Sequence, residues 1–520
     1  MRKWLAGLFA RPPAAPQAAE ASFAAGDWPR AAADLREVLD REPANPDAWN
    51  KLGIAYKELG EMVEASRCFQ RTVELVPQSI GALCNAASAQ RDLGRVEESL
   101  ALLRQARRLA PDDLDVLSAT LFTLNFTTRV PREEIFREHL ETERILHSSA
   151  GRPPRRAGGG KLRIGYLSPD LRFHAVACFV APLLEHHDRE RFEVGCYYLY
   201  PRADATTLEL KARADRWTDL AHLDPAAAAA AIRADGIDIL VDLAGHTDWN
   251  GLRCLALRPA PVIATWLGYL NTTGLKAVDY RITDAYADPP GETERFHSET
   301  LLRLPGSQWC RQKPAELPEV APLPARRPGA VRFGSFNKAA KLTADTLDLW
   351  ARLLLALPEA RLAFVGIEER QSPALAAAFS ALGVAPGRLE FEGRVPLDRF
   401  RALHAGVDIA LDPHPYSGAT TTLDSLWMGV PVLTLAGEAP ISRSSASILS
   451  TLGMQDWVAR SAEDFVRLGA RHAGDLRALA SLRARLRPAL RDSMLMDGVR
   501  FTRALEESYL RMWEETADVR

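Results

Sequence analysis

The sequence predicts an α/β protein with an all-α N-terminal region, a helical superhelix followed by two parallel sheets. Three observations carry this. Glycines and prolines recur at a fixed interval within residues 15–147. From residue 162 onward, short β-rich runs alternate with helical stretches. Two segments rich in proline and arginine, 148–161 and 312–329, divide the chain into three parts.

In the first part, Gly26, Gly60 and Gly94 stand 34 residues apart, and Pro43, Pro77 and Pro111 repeat that interval. "PDAWNKLGIAYKELGEMVEASRCFQRTVELVP" is followed by "IGALCNAASAQRDLGRVEESLALLRQARRLAP". This period, with glycine in the inter-helix turn and proline closing the second helix, resembles the tetratricopeptide repeat. Two repeats are clear, a degenerate one precedes them at 15–43, and a partial fourth follows Pro111. The segment 1–14 before the array is expected to be flexible. Each helix pair can bury its apolar face only against its neighbours, which leaves a concave groove suited to an extended polypeptide. A packing or dimerisation element is the plainer alternative.

The second part, 162–311, carries "LRIGYL", "FEVGCYYLY", "GIDILVDLAG" and "PVIATWLGY". The third, 330–497, carries "VRFGSFN", "ARLAFVG", "RLEFEG", "VDIALDP" and "VPVLTL". Buried strands alternating with helices form parallel sheets, whose ligands lie at the carboxyl ends of the strands, here across a cleft between two lobes. The last stretch, 498–520, has the spacing of an amphipathic helix packing back across the lobes.

A chain of 520 residues exceeds one hydrophobic core, and 47% hydrophobic with 25% charged residues is ordinary for a soluble globular protein. A formal net charge of -2 argues against nucleic acid as a partner. The six cysteines are scattered without a C-x-x-C pair, which argues against zinc and disulfides and for a reducing compartment. "MRKWLAGLFARPPAAPQ" is interrupted too early for a signal peptide, and no apolar run reaches membrane-spanning length. A cytoplasmic location is expected. Homo-oligomerisation is left open.

"PHPYSGATTTLDSLWMGVPVLTL" (413–435) reads as strand exit, turn, helix and strand. Gly418 lets the backbone turn, and Thr420 and Thr421 offer N–H groups and hydroxyls at a helix start, a site for a phosphate or diphosphate. A well-capped helix is the plainer alternative. Asp424, one turn on, suits a ribose diol. The only Asp-x-Asp, Asp113-Leu114-Asp115, falls inside the repeats, so no metal is expected at the cleft and fixed positive charge must meet the diphosphate. His174, in "LSPDLRFHAVACF", and His246, in "DLAGHT", each follow a strand. Such histidines could take a hydroxyl proton or hydrogen-bond a sugar. Asp170 is placed to orient the His174 loop, and His186-His187 on a helix are expected to face solvent.

Together with these motifs, "LALRPAPVIATWLGY", "FGSFNKAAKLT" and "SYLRMW" resemble the O-GlcNAc transferase and SPINDLY family of protein O-glycosyltransferases over about residues 161–515. The resemblance implies a GT-B fold of two Rossmann-like lobes with a nucleotide-sugar in the cleft. It implies metal-independent, inverting transfer, without a cofactor, to Ser or Thr of a protein docked on the repeats. UDP-GlcNAc is the family's majority donor; GDP-fucose or a CMP-sugar, and a non-catalytic repeat adaptor, are the alternatives. Carried onto this chain, it marks His174, Lys341 and His246 as catalytic and Asn85 as acceptor-binding. It marks Asn337, Gly418, Thr420, Thr421, Asp424, Gly268, Thr273 and Arg443 as substrate-binding. Lys338 stands where the family can have a neutral side chain. Three departures stand out. Leu270-Asn271 replaces a common Pro-Gly after Tyr269, and Ala419 stands where some members stack a histidine on the base. Of the expected asparagine ladder at positions 51, 85 and 119, only Asn85 is present.

Overall fold

Eight helices precede the first strand in the computed structural model, which describes residues 15–149, 151–156, 160–314 and 318–516. The segment 1–14, expected to be flexible, lies outside the described residues. The helices are α1 (Ala15–Ala25), α2 (Trp28–Arg41), α3 (Pro46–Leu59), α4 (Met62–Leu75), α5 (Ile80–Asp92), α6 (Val96–Leu109), α7 (Leu114–Leu124) and α8 (Arg132–Leu146). Gly26, Gly60 and Gly94 make the tight turns within the first three pairs, at φ of 71°, 79° and 78°. A β-carbon is unfavourable in that left-handed region by roughly 1 kcal/mol, which accounts for the regular glycines. The first helix of a pair starts on a short polar cap. Asn45 Oδ1, Ser79 Oγ and Asp113 Oδ1 accept the N–H groups of Ala48, Ala82 and Val116. Asp113 is thereby a helix cap, and Asp115 pairs with Arg253 at the surface, so the Asp-x-Asp is structural. Leu35, Leu52, Tyr56 and Phe69 form the core of the early repeats. From α7 on the apolar face changes partner: Leu114, Leu117, Leu121 and Leu124 pack with Leu240, Leu252 and Ile263 of the next domain.

The first sheet comprises β1 (Leu162–Ser168), β2 (Phe192–Tyr198), β3 (Arg216–Asp219), β4 (Ile239–Asp242), β5 (Val262–Thr265), β6 (Tyr280–Asp284) and β7 (Thr300–Leu304). The second comprises β8 (Arg332–Ser335), β9 (Arg361–Val365), β10 (Leu389–Glu392), β11 (Ile409–Leu411), β12 (Val432–Leu435) and β13 (Val458–Ala459). Their orders are β3-β2-β1-β4-β5-β6-β7 and β10-β9-β8-β11-β12-β13, with parallel pairing throughout. Both orders reverse once, between β1 and β4 and between β8 and β11. Chains leaving neighbouring strands there diverge to opposite faces and open a crevice at their carboxyl ends. This is the GT-B pairing of Rossmann-like lobes.

The helix Gly498–Glu515 follows the C-terminal lobe in sequence yet rests on the N-terminal one. Phe501 stacks on Trp266, and the Tyr509 hydroxyl lies 3.1 Å from that of Tyr166. This helix also corrects one expectation. His187 is buried, not solvent-facing: its Nδ1 meets Glu506 Oε1 at 2.9 Å and its Nε2 meets Tyr166 Oη at 2.8 Å. The partner carboxylate arrives from more than 300 residues downstream, so no local pattern could reveal it.

Candidate active site

At the crevice of the second sheet, two strand exits build one cradle. Asp412, just past β11, is buried and shapes its loop. Its Oδ1 accepts Gly418 N–H at 2.7 Å, and its Oδ2 accepts the Ser417 and Thr434 hydroxyls, each at 2.7 Å. Gly418 serves close approach here: a β-carbon would lie 2.5 Å from Thr421 Oγ1 and 3.0 Å from Asp412 Oδ1. The helix Thr420–Trp427 then begins at Ala419, which gives no side-chain cap, so its first N–H groups are left for another acceptor. From the β8 exit, Asn337 Oδ1 accepts the Thr421 hydroxyl at 3.1 Å. Lys341 Nζ donates to Ser417 O at 2.8 Å and lies 4.4 Å above the Tyr416 ring. Burial, and to a lesser degree nearby Lys338, push the Lys341 ammonium down to about 8, against an opposing pull from Asp412. Lysine, asparagine and threonines therefore share one site, ready for a diphosphate.

Across the cleft, His174 ends the β1 loop and caps the helix Ala175–His186, its Nδ1 accepting Val176 N–H at 3.3 Å. His174 is exposed, with 37% of its side chain open to solvent. Burial, then Lys338 and Arg172, push its pKa down to about 4, so it is neutral near pH 7. A neutral imidazole that accepts at Nδ1 carries its proton on Nε2. His174 therefore offers the cleft a hydrogen-bond donor, whereas a general base would need the opposite tautomer. Asp170, whose carboxyl burial raises to about 6, lies 3.6 Å from the same Nδ1. Lys338 acts electrostatically on Asp170, His174 and Lys341 alike, which places it between the lobes.

With this geometry established, comparison with known proteins decides the family. The family described as Glycosyl transferase family 41 matches residues 121–313 and 323–505, and tetratricopeptide repeats match 22–85 and 80–113. The chain belongs to glycosyltransferase family 41. It is 38% identical over 428 residues to a "Probable UDP-N-acetylglucosamine--peptide N-acetylglucosaminyltransferase SPINDLY" of Oryza sativa subsp. japonica, covering 79% of this chain and 46% of that one. A protein of the same description from Solanum lycopersicum is 40% identical over 368 residues, 69% of this chain and 39% of that one. The chain thus spans less than half the length of these curated relatives. Among solved structures, a mutant of Thermobaculum terrenum O-GlcNAc transferase matches with a TM-score of 0.90 and 36% identity, covering 97% of this chain and 98% of that one.

Several residues expected to be catalytic or substrate-binding in this family 41 glycosyltransferase have structural partners. His246 is buried where the repeats join the first lobe. Its Nδ1 pairs with Ser118 Oγ of α7 at 2.9 Å, its Nε2 meets Thr273 O at 2.8 Å, and its ring abuts Tyr269 and His139. The strand exit does lead toward the cleft, but α7 and α8 fill that end, and both ring nitrogens are taken. Thr273 is in the same joint, its N–H donating to Glu299 Oε1 at 2.7 Å. Gly268 serves packing: a β-carbon would fall 1.9 Å from Leu243 O. Asp424 is not a free carboxylate, because Arg311 Nη1 holds its Oδ1 at 2.8 Å. Arg443 lies in a separate cavity. His246→Ala is accordingly expected to cost about 2–4 kcal/mol of stability in chemical denaturation, by stranding buried partners, with kcat per folded molecule changed less than about threefold.

Other residues emerge only from the structure. Asp412, Tyr416 and Ser445, which donates to Gly418 O at 2.9 Å, support the cradle. In the repeats, Asn85 Nδ2 donates to Asn50 Oδ1 at 2.8 Å. Asn50, the missed partner, sits one place before the position where a ladder asparagine was sought.

Proposed function

We propose that this chain transfers N-acetylglucosamine from UDP-N-acetylglucosamine to a serine or threonine of a polypeptide docked on its repeats. The names of its relatives support the donor. The observation that carries the chemistry is the Lys341 ammonium and the uncapped helix start at Thr420 and Thr421 in one cradle, facing His174. In this reading the acceptor oxygen attacks the sugar's anomeric carbon from the side opposite the diphosphate, and the configuration inverts. The bond to the diphosphate breaks, its electron pair stays on the leaving oxygen, the hydroxyl proton passes to an oxygen of the departing diphosphate, and the developing charge is met by Lys341 and the helix amides without a divalent ion. His174 donates its Nε2–H to a sugar or diphosphate oxygen. Asn50 keeps both N–H groups of its amide, and Asn85 one N–H and its carbonyl, for an extended acceptor backbone.

A thermal-shift and turnover panel with UDP-, GDP- and CMP-sugars tests this, together with intact-mass detection of N-acetylhexosamine on acceptor proteins. A UDP-sugar should stabilise most and turn over in the presence of a chelator. Larger stabilisation by a GDP-sugar overturns the donor assignment, and no turnover with any donor overturns the enzyme. No helix among the described residues is long and apolar enough to cross a membrane. The six unpaired cysteines support a reducing, cytoplasmic setting.

The pH profile follows from Lys341. Its ammonium is charged below its pKa, and the depression to about 8 moves the loss of charge into an accessible range. kcat/KM is expected to fall roughly tenfold per pH unit above that point in the free enzyme. Lys341→Arg, always charged, should abolish that alkaline limb in whatever activity remains.

A further inference from the structure

A cavity of about 1220 Å³ opens between the lobes along the carboxyl ends of β6, β12 and β13. None of His174, Asn337, Lys341, Thr420 or Thr421 lines it. Arg132 of α8 and Arg443 of the second lobe meet in its wall on one loop. Arg132 Nη1 donates to Glu438 O at 2.7 Å, and Arg443 Nη1 donates to Gly437 O at 2.9 Å, so two guanidiniums are bound to consecutive carbonyls. Arg443 Nε also holds Tyr286 O at 2.8 Å, and the Arg132 guanidinium lies 4.1 Å from the Phe296 ring centre.

Among the described residues neither arginine has a carboxylate within salt-bridge distance, although Asp288 and Glu438 act on Arg132, and Glu292, Asp288 and Asp284 on Arg443, from further away. Glu292 and Glu438, which also line the cavity, are exposed. Burial and the neighbouring Arg281 and Arg443 guanidiniums push Arg132 down to about 10 despite Asp288, and burial lowers Arg443 as well. Arg132 Nη2 and Thr293 Oγ1 belong to cavity-lining residues and are buried without a hydrogen-bond partner among the described residues. Half-buried guanidiniums without a salt-bridge partner can still bind an anion, and unmet buried polar atoms are costly unless a ligand or water completes them. Paired planar forks match a tetrahedral oxyanion. We propose that this cavity is a second ligand site, in which Arg132 and Arg443 together bind a phosphate-bearing small molecule. Bound there, it would join the repeat region to both lobes. The proposal does not depend on the sugar-transfer reading.

Calorimetric titration of the full chain carrying Lys341→Ala, at constant ionic strength, tests it with the diphosphate cradle disabled. Pyrophosphate should still bind, and Arg132→Gln or Arg443→Gln added to that background should each weaken binding at least about tenfold. Unchanged melting temperatures would show that the variants fold, and two substitutions on different domains guard against one failing to. UDP competing with pyrophosphate would identify nucleoside diphosphates as accepted ligands, whereas pyrophosphate binding alone would restrict the site to free phosphates. No pyrophosphate binding to the Lys341→Ala chain, or binding indifferent to both arginine substitutions, overturns the proposal.

Discussion

Lys341→Ala is expected to abolish sugar transfer while leaving the protein folded. The ammonium is fixed by Ser417 O and the Tyr416 ring at the mouth of the uncapped helix, where the leaving diphosphate gains charge. Removing one preorganised group of this kind typically costs about 10²–10³ in kcat, or roughly 3–4 kcal/mol, and a full charge should lie at or above that range. Stability should barely move. One hydrogen bond, worth about 1 kcal/mol, is lost. Against this, the lowered pKa means that folding disfavours the charged lysine, so its removal relieves a desolvation cost. Steady-state kcat/KM and a melting curve on one preparation check both halves. Retained turnover in a well-folded variant would remove the lysine from the mechanism. Donor-induced stabilisation should disappear with the activity, since in the proposed reading the same ammonium holds the ground-state diphosphate.

The parts of this molecule legible in its sequence are those set by local chemistry. Gly26, Gly60 and Gly94 announce the helix pairs because only glycine is comfortable at their φ values. The alternation of apolar runs with helices announces two parallel sheets, and strand exits locate Lys341, Asn337 and Thr421, which share one cradle, and His174, which feels the charge of Lys338 beside it. What stayed hidden depends on partners far away in the chain. His246 follows its strand as His174 does, but Ser118, 128 residues earlier, occupies its Nδ1. A strand end thus shows where a side chain starts, not whether another domain covers it. Asn50 was missed because a ladder was sought one position further on, and helix pairing, not spacing alone, selects which amides meet.

The same long-range contacts join the repeats to the cradle. Phe126, just past α7, lies 4.4 Å from Tyr416, the ring beneath Lys341, and Phe122 lies 6.3 Å from it. The Arg91 guanidinium of α5 covers the other neighbour, Phe122, at 4.8 Å. The Gly94 turn presses on the Lys341 segment so closely that a β-carbon would fall 2.7 Å from Leu342 O. The end of the repeat groove is therefore also a wall of the diphosphate cradle. In the proposed reading a polypeptide held by the repeats would be delivered in fixed register to the sugar, and orientation of this kind is itself a large part of catalysis.

The second large effect is expected at Asp424 and is structural. Its carboxylate and Arg311, with 10% and 6% of their side chains exposed, form a buried pair between the segment after β7 and the helix Thr420–Trp427. Asp424→Ala would strand the buried guanidinium without its partner, a loss expected to cost about 3–5 kcal/mol. Replacing both residues, Asp424→Leu with Arg311→Leu, should recover most of that stability, because apolar pairs of similar volume often match buried ion pairs. A double-mutant cycle by urea denaturation measures the coupling. A carboxylate acting chiefly on the donor's ribose predicts the reverse: Asp424→Ala would weaken UDP-sugar binding, leave the unfolding midpoint unmoved, and show no coupling to Arg311. Because the pair clamps the helix whose N-terminus faces the diphosphate, a modest fall in donor affinity should accompany the loss of stability, and Arg311→Leu alone should produce the same fall.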